Sequence, residues 1–245
     1  MRAEQFWDDI FSRGDSFSYS RVALPPPEDP VYPALEAAME HFGDVAGKTI
    51  LDVGCGKGST SLFFAERGAR VVCIDLSRNA VGNLRRHCEE NGIEGVEPHC
   101  MRAQDIAQLG PVDFVFGSMI LHHIEPFGEF AATLRSVLAP GGKGLFFENN
   151  AASSLMIWFR QNMVGKYGIP KFGDDEEFPL TPAEIGMLRR HFDVRVVYPE
   201  MYMARMVSTY LLKGRMEGAL VKLDELMYRV PALRRYSYRQ LVYLS

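Results

Sequence analysis

Between residues 48 and 148, short apolar runs alternate with stretches whose apolar side chains recur every three or four positions. The runs are Thr49–Val53, Arg70–Asp75, Val96–Met101, Val112–Gly117 and Lys143–Glu148, the last following the Pro140-Gly141-Gly142 turn. Each reads as a buried strand. The stretches between them read as helices. Ser59 to Gly68 carries Leu62, Phe63 and Phe64 on its apolar side and stops at its glycine. The next is framed by Ser77, a good N-cap, and Asn91-Gly92, a good stop. Phe127, Phe130, Leu134, Val137 and Leu138 repeat at helical spacing. Strand and helix in alternation, joined by short loops, predict a doubly wound, mostly parallel α/β sheet.

The flanks follow a different pattern. Phe6, Trp7 and Phe11 suit one face of a short N-terminal helix, and Pro25-Pro26-Pro27 is a stiff connector. That helix either packs on the domain or lies as a lid over a cleft. Residues 31–46 predict a helix leading into the first strand. Beyond 148, Leu155-Met156-Ile157-Trp158-Phe159 is an apolar cluster, and Thr181-Pro182-Ala183-Glu184 is a capping box that starts a helix. Val194–Tyr198 predicts a sixth strand, residues 199–236 helices rich in Met, Tyr and Leu, and Tyr238–Leu244 a seventh strand.

A chain of 245 residues fits one domain, 1–245, with 48–148 as its core and 149–180 and 199–236 as added segments. A net charge of −4 and no long basic run argue against a nucleic-acid partner. Cys55, Cys73, Cys88 and Cys100 have no CxxC spacing and read as reduced thiols of a cytoplasmic protein. The polar start MRAEQFWDDIF is not a signal peptide, and no apolar run reaches the roughly 18 residues that span a bilayer.

The chemistry concentrates where the first strand breaks into glycines: Asp52, Gly54, Cys55, Gly56, Gly58. A strand, a glycine turn and a helix make a ligand-binding corner, in which side chains would block close approach. Asp52 ends a buried strand and needs hydrogen bonds, which a cleft would supply. An acid before Gly-x-Gly-x-Gly resembles the first motif of the class I S-adenosylmethionine-dependent methyltransferases. The dinucleotide fingerprint Gly-x-Gly-x-x-Gly has other spacing. The resemblance is strong over 48–148 and loose over the last two strands. It implies a seven-stranded Rossmann-like sheet whose last strand is antiparallel, with S-adenosylmethionine as cofactor and S-adenosylhomocysteine as product. Carried over by position, Asp52, Gly54, Cys55 and Gly56 form the cofactor turn. Asp75 would accept the ribose hydroxyls, and Leu76 would lie beside the adenine. Asp105, with Gln104 beside it, would meet the adenine amino group, and Ser118 the methionine part. Relatives carry a histidine near the sulfonium where this chain has Leu121-His122-His123-Ile124.

Histidine titrates near neutrality, so His122 or His123 can take a proton from a phenol or hydroxyl as a methyl group moves. Adjacent helical positions lie about 100° apart, which predicts that the two rings point apart. Glu148, Asn149 and Asn150 leave the fifth strand at the sheet's carboxyl edge, where they orient a substrate or cap the next helix. The acidic run Asp174–Glu177 reads as a solvated loop rather than a metal site. The added segments predict an apolar helical cap over an apolar or aromatic small-molecule acceptor. Trp158 would contact that acceptor, and Arg160, Lys166 or Lys171 would meet any acidic group on it. A homodimer interface made of the same residues is the alternative. Oxygen is the favoured methyl acceptor. Nitrogen or carbon transfer, a non-catalytic cofactor-binding protein and a nicotinamide oxidoreductase are the competing functions.

Overall fold

A computed structural model of the chain describes residues 2–12, 22–166, 178–212 and 214–245. Its strands are β1 (Thr49–Val53), β2 (Arg70–Asp75), β3 (Val96–Cys100), β4 (Val112–Ser118), β5 (Leu138–Asn149), β6 (Val194–Val197) and β7 (Arg239–Leu244). They form a seven-stranded sheet in the order β3-β2-β1-β4-β5-β7-β6. The first five pair in parallel, and β7 runs antiparallel between β5 and β6. The chain winds outward from β1 through β2 to β3, then returns to place β4 on the other side of β1. This reversal opens a crevice at the carboxyl ends of β1 and β4.

Helices cover both faces, so the strands are buried on both sides and alternate between two cores. Leu51, Val53, Ile74, Val115 and Phe146 pack on one face with α5 (Phe127–Val137) and α7 (Pro182–Leu188). Ile50, Val71, Phe114, Phe116 and Leu145 pack on the other. Their partners there are α2 (Tyr32–Phe42), α3 (Ser59–Ala65) and α4 (Arg78–Asn91). The local signals operate as expected. Ser77 Oγ accepts from Ala80 N, Gly92 closes α4 in the left-handed conformation, and the Thr181–Glu184 capping box is present in full.

One boundary differs. Lys143 was expected to open β5, yet pairing begins at Leu138, with a register shift between Val112 and Phe114. Pro140-Gly141-Gly142 bulges out while the residues on either side stay paired. Gly142 fits there because a Cβ would stand 2.9 Å from the carbonyl oxygens of Asp113 and Ala139.

The added segments contain α6 (Ser154–Asn162), α8 (Ala204–Tyr210), α9 (Glu217–Tyr228) and α10 (Pro231–Arg234). The helices α6 and α8 meet around Met156, Met206 and Tyr238, with Tyr202, Met203 and Tyr210 against them, while α9 packs on α8 and α10 on α9. The start of α8 has no cap of its own. Asp224, reaching across from α9, accepts from Met203 N, Ala204 N and Arg205 N at 2.8–3.1 Å. At the other end of the chain, α1 (Arg2–Ser12) packs near α4. No described helix is long and apolar enough to cross a membrane. Lys171 and the run Asp174–Glu177 lie outside the described residues.

Candidate active site

The turn after β1 is built from three glycines at positive φ: Gly54 (71°), Gly56 (50°) and Gly58 (81°). Each is also hemmed in by the chain itself. A Cβ on Gly54 would lie 2.5 Å from the Ile120 side chain, and one on Gly58 2.4 Å from Leu84. At Gly56 it would stand 3.2 Å from the ring of Phe11. The sequence reading assigned the space at Gly54 to a ligand, but Ile120 takes it.

Asp52 is not open to the crevice. It is 1% exposed, and the hydroxyls of Thr60 and Ser61 both donate to its Oδ2 at 2.6 Å. The first turn of α3 thus supplies the bonds expected from a cleft. Burial still pushes this carboxyl up to about 6, because two neutral hydroxyls only partly replace water. A hydrogen bond with Cys73 and burial push the Cys55 thiol well above its ordinary range, so Cys55 is an inert packing group.

Asp75 closes the turn from β2. Gly56 N donates to its Oδ2 at 2.8 Å and Ser77 N to its Oδ1 at 2.9 Å. Burial raises its pKa against the pull of these bonds. Leu76 is half-buried beside it. From α1, Asp8 accepts from Ser77 Oγ at 2.7 Å and from Asn79 N at 3.2 Å. The same helix lays Phe11 on Gly56 and the Trp7 ring edge-on to His123, with centroids 5.4 Å apart. The N-terminal helix therefore reaches the glycine turn, the end of β2 and the histidine pair together. Gln104 donates to the carbonyl of Glu125 at 2.8 Å, while Asp105 is exposed beyond β3.

Past Ser118, Met119 adopts a left-handed conformation (φ 53°), and its N–H donates to Phe147 O at 2.8 Å. This bend drops Ile120 onto Gly54 and Gly117. A single 3-10 turn, Leu121–His123, follows. The histidine rings do not point apart as predicted. Their centroids are 4.2 Å apart, because side-chain rotation brings together what the backbone separates. His122 Nδ1 lies 2.6 Å from Glu148 Oε2, with the two side chains 2% and 0% exposed. Glu148 Oε1 accepts from Ile120 N at 2.8 Å and Leu121 N at 2.7 Å.

Glu148 was expected either to orient a substrate or to cap the next helix. It sits behind His122 instead, with both oxygens engaged inside the protein. The Asn149 carbonyl accepts from Leu180 N and Gln240 Nε2, and the buried Asn150 donates to Arg235 O and Ser237 O. Trp158, expected to contact an acceptor, is 56% exposed on α6, and Arg160 donates to the Tyr238 hydroxyl at 3.1 Å. Sequence reasoning missed Asp8, Ile120, Thr60 and Ser61. Only the hydroxyl pair at the start of α3 carried a local signal.

Comparison with known proteins points to a methyltransferase domain. A family model described as a methyltransferase domain matches residues 50–142. The ubiquinone biosynthesis O-methyltransferase of Burkholderia orbicola (strain MC0-3) is 32% identical over 163 residues, covering 65% of this chain and 69% of its own length. That of Aeromonas salmonicida (strain A449) is 31% identical over 155 residues, 62% of this chain and 64% of the relative. The chain therefore spans about two thirds of these relatives. Among solved structures, the N-methyltransferase NodS from Bradyrhizobium japonicum WM9, in complex with S-adenosyl-L-homocysteine, superposes with a TM-score of 0.61. It is 12% identical and covers 100% of this chain and 98% of its own, a likeness of fold.

Proposed function

The chain belongs to the class I S-adenosylmethionine-dependent methyltransferases, and from that premise we propose that it methylates a small-molecule acceptor at oxygen, with a histidine of the 122–123 pair as base. The observation that carries this reading is the juxtaposition of a glycine turn, a carboxylate bound to that turn and a histidine turn packed onto it through Ile120. The residues suit the cofactor. Asp75 keeps acceptor capacity beyond the two N–H groups it already holds. Ser59 Oγ, on the first turn of α3, is buried without a hydrogen-bond partner among the described residues. Asp75, Leu76 and the turn at 54–56 would hold the nucleoside, Asp105 and Gln104 its base, and Ser118 the methionine part.

S-adenosylmethionine supplies an activated methyl group when bound. The protein aligns the acceptor, excludes water with α1, and accepts the acceptor's proton on an imidazole. The acceptor is apolar or aromatic, a reading supported by the Met and Tyr side chains of the cap. The curated relatives named for O-methyl transfer in ubiquinone biosynthesis favour oxygen over nitrogen or carbon. Free thiols at all four cysteines, three of them buried, support a cytoplasmic location.

Leu155, Trp158, Leu211 and Leu226 of the added segments remain 47–69% exposed, which favours their being covered by a second copy of the chain as a further reading. Incubation with labelled methyl donor and a panel of phenols, catechols and polar hydroxyl compounds tests the function. Label should pass to an aromatic hydroxyl, and His122→Ala should lower the rate about 100-fold or more. Transfer to no member of the panel by a protein that binds S-adenosylhomocysteine would favour a non-catalytic cofactor-binding protein.

A further inference from the structure

We infer that Glu148 is a positioning residue for His122, which keeps that imidazole's proton on Nδ1 and makes Nε2 the basic atom of the ring. The inference rests on the methyl-transfer reading above. Glu148 is 0% exposed near the end of β5, where a carboxylate is costly unless donors surround it. Three do: Ile120 N and Leu121 N on Oε1, and His122 Nδ1 on Oε2. A carboxylate only accepts, so the proton in the 2.6 Å contact belongs to Nδ1. A neutral imidazole held this way presents the Nε2 lone pair as its basic site. When Nε2 takes the acceptor's proton, the Glu148 charge stabilises the imidazolium.

The same carboxylate ties the base to the cofactor turn. It holds Ile120 by its N–H, and the Ile120 side chain fills the space over Gly54 and Gly117. Glu148→Gln separates these two tasks. The amide oxygen can still accept from Ile120 and Leu121. The amide nitrogen then faces Nδ1 as a donor, which forces the proton onto Nε2 and removes the basic lone pair.

The test is long-range proton–nitrogen NMR of the full-length protein labelled with nitrogen-15 in its histidine rings, with His122→Gln to assign the signals. Wild type should show His122 protonated at Nδ1, and Glu148→Gln should move that proton to Nε2. His122 protonated at Nε2 in wild type overturns the inference even if the variant fails to fold. So does a folded Glu148→Gln protein with an unchanged tautomer. Calorimetric titration of wild type with S-adenosylhomocysteine is run alongside. Absent binding defeats the methyltransferase reading, whereas intact binding with the wrong tautomer defeats only the role of Glu148.

Discussion

The core at 48–148 and the described helices added after it, α6 and α8 to α10, are held together in opposite ways. In the core, polar groups needed by the site are buried and locked by short bonds: Asp52 by Thr60 and Ser61, Asp75 by Gly56 and Ser77, Glu148 by Ile120, Leu121 and His122. Among the added helices, a small cluster of Met156, Met206 and Tyr238 is buried while Leu155 is 69% and Trp158 56% exposed. The first region tolerates little change because each side chain constrains several others. The second has exposed positions where change is cheap. Under the proposed function, this division would set the chemistry on a rigid sheet edge and leave the acceptor to an adaptable layer.

The largest effect is expected at the glycine turn. Gly54→Val places a branched side chain at a φ of 71° and drives it into Ile120. Overpacking and left-handed strain together should cost about 2–5 kcal/mol. The damage reaches the histidine turn through Ile120, so folding and S-adenosylhomocysteine affinity should fall together in thermal melts and calorimetry. Wild-type stability with selectively lost binding would mean that the space at Gly54 belongs to the cofactor after all.

The contrast between the regions also governs what the sequence reveals. β2 and α4 are legible because Ser77 and Gly92 carry their signals locally. The same holds for α7 with its capping box, and for the glycine turn. The partners of the site are not legible. Glu148 meets His122 across 26 residues and Asp8 meets Ser77 across 69, and nothing near either residue marks the pairing. Tertiary packing alone brings them together, which is why Glu148 reads from sequence as a substrate contact or a helix cap. The added helices have the same difficulty: α8 is capped by Asp224, about twenty residues downstream, so its start has no local mark.

A smaller effect, but a directional one, is expected from Asp52. Burial raises its folded-state pKa to about 6 from 3.8, so the unfolded chain loses this proton first as pH rises. Below about pH 4 both states hold the proton and the burial of Asp52 costs nothing through ionisation. Through the window from about pH 4 to 6 the folded state loses stability, by up to about 3 kcal/mol above it. Asp52→Asn lacks that loss. In denaturant titrations at pH 4 and pH 8, the variant should therefore gain on wild type at the higher pH. A gain at the lower pH would show that the carboxylate is satisfied in its charged form.

The smallest effect is expected in the cap. Trp158→Asp on the exposed face of α6 should change monomer stability by no more than about 0.5 kcal/mol. Light scattering supplies the second half of this test. If the face is covered by another copy of the chain, the variant should halve the particle mass. A stability loss of several kcal/mol without a change in mass would mean that the cap is as tightly interlocked as the core.

The central claim is that the glycine turn and Asp75 together hold the adenosyl group. Calorimetric titration of Asp75→Ala with S-adenosylhomocysteine tests it most directly, with circular dichroism to verify the fold. Wild type should bind, and the folded variant should bind at least about tenfold more weakly, the loss expected when hydrogen bonds to a charged partner disappear. Equal affinity in a folded Asp75→Ala protein would contradict the placement of the cofactor at this turn.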